Sequence, residues 1–269
     1  MSINKIDFNQ LYITQKRNST FKPKTVQEWD KKASGLSKRI HKSIYNTELL
    51  KQMDFTDCET FLDIGCGVGN MSFVLADKFK KIYALDFSKN MLEILNNEAR
   101  HRNINNIETI HLSWEDDWKN VPKCDIVLAS RSMEVNNMKD ALTKLNEKAN
   151  KRVYLTYKVG GSFISDDILQ YIDKKINKKP DFIYTLNILY QMGIMPTLNY
   201  IKSEGKKQQY INEKSFLQSI IWSIGDLTSK QKDLLKEYYH KKLKDKKQKE
   251  SDYVCWAVIH WDKKSLPCL

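Results

Sequence analysis

The sequence has little of what marks secreted, metal-binding or membrane-spanning proteins. It contains only five cysteines among 269 residues, and no two of them form a CxxC pair. This pattern argues against a disulfide framework and a zinc site, and it favours reduced thiols in a cytoplasmic protein. No apolar run reaches the ~18 residues of a membrane span, and residues 1–30 show no secretory signal. We therefore expect a cytoplasmic protein with no metal and no membrane segment.

Arginine is scarce, although the formal net charge is +12. Lysine supplies most of the positive charge, whereas base readout and bidentate phosphate contacts favour arginine. The lysine-rich run at 241–249 is interpreted as the solvated surface of a helix. A nucleic-acid partner is therefore the disfavoured alternative, and it stays open.

Short apolar runs alternate with segments in helical spacing along most of the chain. This alternation predicts a parallel sheet with right-handed crossovers. The predicted strands cover residues 60–64, 81–85, 107–112, 124–129, 152–157, 196–201 and 253–261. The predicted helices cover residues 26–52, 70–79, 89–102, 136–150, 180–192 and 212–250.

Three glycines follow the first predicted strand at alternate positions. They are Gly65, Gly67 and Gly69 in the segment LDIGCGVGN, with Cys66 between the first two and Asp63 two residues before them. Glycines here permit a tight turn and let a ligand approach the backbone closely. The GxGxG spacing differs from the GxGxxG of dinucleotide-binding proteins. Asp63 would repel a diphosphate and accept a hydrogen bond from an ammonium group.

An acidic residue ends the second predicted strand. Asp86 follows the apolar run IYAL, and an acid at this place can accept hydrogen bonds from both hydroxyls of a ribose. Phe87 is placed to lie on a purine face, and Ser88 is expected to cap the next helix, in which Met91 points inward. A plain turn at Asp86 is the alternative.

The loop after the third predicted strand carries Ser113, Trp114 and Glu115. Ligands of such sheets sit beyond the carboxyl ends of the strands. Trp114 and Glu115 are placed to flank an adenine and to accept a hydrogen bond from its amino group. The alternative is a core tryptophan in an acidic loop.

The loop after the fourth predicted strand carries Ser130, Arg131 and Glu134. At this position in the sheet the loop is expected to face the reacting centre. The alternative is a surface ion pair between Arg131 and Glu134.

Residues 60–160 resemble the class I S-adenosylmethionine-dependent methyltransferases that act on small molecules. LDIGCGVGN is similar to the first motif of that family, ALDFSKNML to its second and CDIVLASRSMEV to its fourth-strand motif, and the segment WDKKA resembles its lead-in helix. The resemblance implies a Rossmann-like α/β fold with a mostly parallel sheet and one antiparallel strand near the C-terminus. It also implies S-adenosylmethionine as the cofactor, with its methionine half at Asp63 and its ribose at Asp86.

The resemblance and the motifs together give a set of cofactor-site candidates and a smaller set of substrate-pocket candidates. The first set is Asp63, Gly65, Cys66, Gly67, Gly69, Asp86, Phe87, Met91, Ser113, Trp114, Glu115, Ser130 and Arg131. The second set is Tyr12, Trp29, Glu134 and Tyr157. No histidine shows a catalytic pairing, so no general base is assigned.

Four segments are expected along the chain. They are an N-terminal helical lead-in at 1–52, a Rossmann-like cofactor-binding core at 53–202, a helical lysine-rich insertion at 203–251, and a last core strand with a tail at 252–269.

The favoured function is transfer of a methyl group to a small molecule, since the lead-in and the insertion could enclose one. No NPPY-type tetrapeptide and no Pro-Cys follows the fourth strand, and this argues against amino-group and cytosine-C5 methylation of nucleic acids. An RNA or protein methyltransferase and a non-catalytic cofactor-binding protein remain alternatives. The oligomeric state is left open.

Overall fold

One seven-stranded sheet organises the protein. The computed structural model describes residues 3–21, 23–37, 43–160, 164–204, 212–243 and 253–263. Within them the strands are β1 (Thr60–Ile64), β2 (Lys81–Asp86), β3 (Ile107–His111), β4 (Cys124–Ala129), β5 (Ala149–Lys158), β6 (Thr197–Glu204) and β7 (Tyr253–Asp262). Their spatial order is β3-β2-β1-β4-β5-β7-β6.

The helices of the same ranges surround this sheet. They are α1 (Phe8–Asn18), α2 (Val26–Ser37), α3 (Ile44–Leu50), α4 (Asn70–Val74), α5 (Lys89–His101), α6 (Met138–Lys148), α7 (Asp166–Tyr171), α8 (Phe182–Gln191), α9 (Glu213–Ile224) and α10 (Ser229–Tyr238). Shorter helical turns lie at Ile3–Lys5, Ala76–Lys78 and Tyr239–Leu243. In these ranges no helix is both long enough and apolar enough to cross a membrane.

The strand directions confirm the expected fold class. β1 pairs in parallel with β2 and β4, and β3 and β5 continue the parallel sheet on either side. β7 alone runs antiparallel, to both β5 and β6. The chain moves outward in one direction from β1 through β2 to β3 and in the other from β4 to β5. Because the loops after β1 and β4 therefore leave the sheet in opposite directions, a crevice is expected between them at the carboxyl edge.

Alternating side chains of β1 enter two separate cores. Leu62 and Ile64 pack in a cluster with residues of α1, α6 and α8, whereas Phe61 packs in a second cluster with residues of α3 and α4. All three side chains are fully buried, and each burial contributes about 2 kcal/mol. The burial on both faces explains why β1 is mostly apolar and does not alternate with exposed polar residues; its one acidic residue, Asp63, is itself buried.

A third apolar cluster joins distant parts of the chain and is called the cap here. It contains Phe21 together with residues in or next to α7, α9 and α10, namely Ile164, Ile168, Leu169, Ile172, Phe216, Ile220, Ile224, Leu227, Leu235 and Tyr238. Leu234 and Leu243 pack against it. The lysines at 244, 246, 247 and 249 lie outside the described residues.

The N-terminal part differs from the predicted helix at 26–52. Helix α2 ends at Ser37, and Ser43 has extended backbone with φ −122° and ψ 131° before α3 begins. The apolar spacing continued across two helices, so periodicity alone did not reveal the interruption. Helix α7 was not predicted, and the bounds of α1 were not predicted within the expected helical lead-in; α1 presents a single buried residue, Tyr12, which is too little for a periodic signal.

Candidate functional site

The glycine loop between β1 and α4 is built from left-handed backbone. Gly65, Gly67 and Gly69 have φ values of +67°, +56° and +90°, which other residues adopt at a cost of about 1–2 kcal/mol. A Cβ on Gly65 would lie 2.3 Å from Cβ of Ser132, whereas nothing lies within 4 Å of one on Gly67. Gly67 therefore borders open space that a ligand can fill.

Asp86 holds this loop by hydrogen bonds. Its Oδ2 accepts from the backbone N–H of Gly67 at 2.8 Å, and its Oδ1 accepts from that of Ser88 at 2.9 Å. Ser88 in turn caps α5, since its hydroxyl accepts from Met91 N–H. One carboxylate thus ties the end of β2 to the glycine loop and to the start of α5.

A second carboxylate lies buried beside the loop. Asp63 is 2% exposed and accepts a hydrogen bond from the Ser72 hydroxyl at 2.7 Å. Burial, assisted by the charge of Asp86, raises the pKa of Asp63 to about 6. Burial raises the pKa of Asp86 as well. Among the described residues neither carboxylate has an ion-pair partner, so the site fits a ligand that brings a positive charge.

The loop after β3 is fastened to the loop after β4. Trp114 donates its indole N–H to the carbonyl of Ser132 at 3.1 Å and stacks on Trp118 at 5.0 Å. Glu115 is exposed and accepts from the Asn136 amide. The backbone N–H of Ser113 donates to Asp116 within the loop. The Trp114 side chain therefore connects the two loops, while the Glu115 carboxylate lies at the surface.

The loop after β4 turns over the ring of Tyr45 in α3. The Ser130 hydroxyl lies 2.8 Å from the Tyr45 hydroxyl, and the Arg131 guanidinium lies 4.3 Å from the Tyr45 ring centroid. Arg131 has φ +57°, and its N–H donates to the Thr156 hydroxyl. Glu134 pairs with Lys179. The alternative pair of Arg131 with Glu134 is not among the ion pairs of the described chain.

Two of the substrate-pocket candidates, Tyr12 and Tyr157, lie close together. Tyr12 is buried and donates to Val135 O at 2.8 Å, and Tyr157 donates to Pro180 O at 3.1 Å. Burial raises the pKa of both phenols, and each phenol also acts on the pKa of the other. Both tyrosines therefore stay protonated near neutral pH and are hydrogen-bond donors there, not bases.

Trp29 of α2 connects the glycine loop to the cap. It packs against the apolar cluster that contains Cys66, Val68 and Met91, and it makes an edge-to-face contact with Trp222 of α9 at 6.0 Å. Phe87 is half-buried next to this cluster in sequence, with its carbonyl 3.1 Å from a His111 ring nitrogen. Helices α2 and α9 therefore meet next to the glycine loop.

Sequence reasoning missed Tyr45, Thr156, Ser132 and Asp30. Tyr45 and Thr156 belong to no motif of this sequence, whereas Ser132 lies in CDIVLASRSMEV without a role having been assigned to it. The hydrogen bonds of Asp30 with Ser88, of Ser132 with Ile64 and of Tyr45 with Thr156 span 58, 68 and 111 residues. Asp30 did stand in the recognised lead-in segment WDKKA, but no role was assigned to it. It accepts a 2.5 Å hydrogen bond from the hydroxyl of Ser88, the N-cap residue of α5, and thereby connects α2 to the start of α5.

Replacement of Asp30 by alanine is expected to lower the free energy of unfolding by about 1.5 kcal/mol, because a half-buried hydrogen bond to a charged acceptor is lost. Urea denaturation measures this change. Lys31→Ala is the matched control, since Lys31 is exposed on the same helix. Equal stabilities of the two variants would contradict the assignment of Asp30 as an anchor of α2.

The comparisons with known proteins agree with this geometry. The methyltransferase-domain family matches residues 56–262. An uncharacterised protein of Haemophilus influenzae is 35% identical over 97% of this chain and 98% of its own length. A demethylmenaquinone methyltransferase of Oceanobacillus iheyensis is 34% identical over 31% of this chain and 36% of its own. A probable ribosomal RNA small subunit methyltransferase A of Methanosphaera stadtmanae is 30% identical over 41% of this chain and 40% of its own.

A solved structure has the same fold. The crystal structure of the YcgJ protein from Bacillus subtilis gives a TM-score of 0.54 at 14% identity, with 82% of this chain and 99% of that chain covered. The family match extends over the whole sheet from before β1 to the end of β7. The chain therefore belongs to the methyltransferase-domain family and is a class I S-adenosylmethionine-dependent methyltransferase.

Proposed function

We propose that this protein transfers the methyl group of S-adenosylmethionine to a small molecule bound at the carboxyl edge of the sheet. The observation that carries the proposal is the pair of buried carboxylates, Asp63 and Asp86, beside the open face of Gly67. Asp63 would hold the ammonium group of the cofactor, and Asp86 would accept the ribose hydroxyls. The sulfonium centre supplies an electrophilic methyl group, and the protein aligns the acceptor and excludes water.

Several side chains would complete the cofactor site. Phe87 and Met91 would lie at the adenine end, with Trp114 and Glu115 on the loop after β3. Ser130 and Arg131 would border the reacting end. Tyr12 and Tyr157 would line the acceptor pocket, and a base is required only if the acceptor atom carries a proton in its ground state.

A small acceptor is favoured by the contact of two helices beside the glycine loop. Trp29 of α2 meets Trp222 of α9 there, and a site that these helices enclosed would suit a small ligand. The matched demethylmenaquinone methyltransferase also has a small acceptor in its name. The ribosomal RNA methyltransferase match supports the second candidate, an RNA acceptor.

Incubation with radiolabelled S-adenosylmethionine and fractionated cell extract tests the acceptor class. Label is expected in the small-molecule fraction. Label confined to RNA or protein would contradict a small acceptor. Absence of binding heat in a calorimetric titration with S-adenosylhomocysteine, the demethylated product, would contradict cofactor binding itself.

The affinity for S-adenosylhomocysteine is expected to rise with pH between about 5 and 7. Asp63 in the ligand-free protein has a pKa of about 6, and an ammonium group beside it favours the ionised form, so binding below this pH releases a proton.

The raised pKa of Asp63 also lowers the free energy of unfolding as pH rises from about 4 to about 6, because the folded state keeps a proton that the unfolded state releases.

Calorimetry at a series of pH values measures this dependence. In Asp63→Asn the affinity should be lower and nearly independent of pH across this range. Asp125→Asn at the other edge of the sheet is the control and should keep the wild-type slope. A wild-type slope in Asp63→Asn would contradict the role of Asp63.

Substitution of the lysine-rich run distinguishes a small-molecule acceptor from an RNA acceptor. Replacement of Lys241, Lys242, Lys244, Lys246 and Lys247 by glutamine is expected to leave methyl transfer nearly unchanged, because lysine charges contribute little to binding unless they contact phosphate. Transfer assays at low and high salt measure the effect. A large loss at low salt, with stability and cofactor affinity preserved, would instead favour RNA.

A further inference from the structure

Three hydroxyl groups form a hydrogen-bonded chain next to the loop after β4. The Tyr45 hydroxyl lies 2.6 Å from that of Thr156 on β5 and 2.8 Å from that of Ser130 after β4. Tyr45 is fully buried and Thr156 is 1% exposed, whereas Ser130 is only half-buried. Asp63 is close enough for its charge to act on the pKa of the Tyr45 phenol. This hydrogen-bonded chain therefore runs from the interior of the protein to the proposed site.

A count of hydrogens fixes the direction of these bonds. Three hydroxyls carry three hydrogens, and their two mutual hydrogen bonds use two of them. The backbone N–H of Arg131 already donates to the Thr156 hydroxyl, so that oxygen is also an acceptor. Among the described residues no further hydrogen-bond partner contacts the three hydroxyls, so one of their three hydrogens is not used in a hydrogen bond.

The leftover hydrogen belongs on Ser130. On Thr156 or Tyr45 it would be a buried donor without an acceptor, which is disfavoured. With Thr156 donating to Tyr45 and Tyr45 donating to Ser130, both buried hydroxyls are satisfied. The hydrogen of Ser130 then points toward the half-exposed side, where a ligand can accept it.

We propose that Thr156 and Tyr45 are positioning residues, which orient the hydroxyl of Ser130 to donate a hydrogen bond to the molecule bound in the site. This inference rests on the proposed function. The partner is an oxygen or nitrogen with a free lone pair, such as a carboxylate or hydroxyl oxygen, on either the cofactor or the methyl acceptor. Loss of either positioning hydroxyl lets the Ser130 hydroxyl turn away from the ligand.

Tyr45→Phe tests the hydroxyl alone, because the ring that Arg131 and Trp256 contact is kept. Tyr154→Phe is the matched control. It removes a buried phenol hydroxyl of β5 that accepts from Asp54 N–H, ahead of β1. Calorimetry with S-adenosylhomocysteine and transfer of label to the small-molecule extract fraction at saturating cofactor are measured for both, together with Ser130→Ala and the double variant Tyr45→Phe/Ser130→Ala.

Tyr45→Phe and Ser130→Ala are each expected to lose about tenfold in one of these two readouts, and the double variant should lose no more than Ser130→Ala. A loss in product affinity assigns the lone pair to the cofactor, and a loss in transfer alone assigns it to the acceptor. The inference is overturned if Tyr45→Phe behaves like Tyr154→Phe, or if the two losses multiply. Absence of product binding by the wild-type protein would instead contradict the proposed function.

Discussion

Asp86→Ala is expected to weaken binding of S-adenosylhomocysteine by about 30-fold or more, equivalent to ~2 kcal/mol. Two hydrogen bonds from the ribose hydroxyls to a charged acceptor would be lost. The carboxylate also holds the N–H groups of Gly67 and Ser88, so the glycine loop loses an anchor in the same variant. Isothermal calorimetry measures the affinity, and urea denaturation measures the stability.

Asp125→Ala is the matched control for this variant. The Asp125 carboxylate also accepts from two backbone N–H groups, those of Glu59 and Thr60, but at the amino edge of the sheet. Both variants are expected to lose stability, and only Asp86→Ala should lose affinity. An unchanged affinity in Asp86→Ala would show that Asp86 has only a structural role in the turn after β2.

Gly65→Ala is expected to disrupt the glycine loop and to lower the free energy of unfolding by about 3 kcal/mol or more. The left-handed backbone costs about 1–2 kcal/mol for alanine, and overpacking costs typically 1–3 kcal/mol. The overpacking arises because the new Cβ would lie 2.3 Å from Cβ of Ser132, whose hydroxyl is itself bonded to Ile64 O. Urea denaturation measures the loss.

Gly67→Ala separates backbone strain from steric clash. Its φ of +56° gives a similar backbone cost, but no atom lies within 4 Å of the added Cβ. We expect Gly67→Ala to keep most of its stability and to lose product affinity, since the methyl group enters the space proposed for the cofactor. Equal stability losses in both variants would show that the contact of Gly65 with Ser132 has no energetic weight.

Local patterns of the sequence were sufficient to place the strands of the sheet. The predicted bounds of β1 and β4 agree with the structure, because both strands consist mostly of apolar residues that are buried on both faces. The strand-helix alternation gave the parallel arrangement, and the family resemblance gave the antiparallel β7. The glycine spacing and Asp86 are equally local signals, and their roles in binding stay predictions.

Helix boundaries and the cap depended on more than local patterns. The break between α2 and α3 is invisible to periodicity, and α1 has too few buried residues for a helical signal. The cap joins Phe21 to α7 and to the α9–α10 pair. Each of these pieces is too short or too polar to be stable alone, so its helical state depends on tertiary packing.

The sequence by itself determined the sheet, the glycine loop and the acidic strand end, because strand burial and left-handed glycines act over a few neighbouring residues. Only the tertiary structure decided which hydroxyls and carboxylates meet at the crevice. Tyr45 reaches Thr156 across 111 positions and Ser130 across 85, and Asp30 reaches Ser88 across 58. A single tyrosine or aspartate carries no periodic signal, since the partner that satisfies its buried polar atom is selected by chain topology and not by its sequence neighbours.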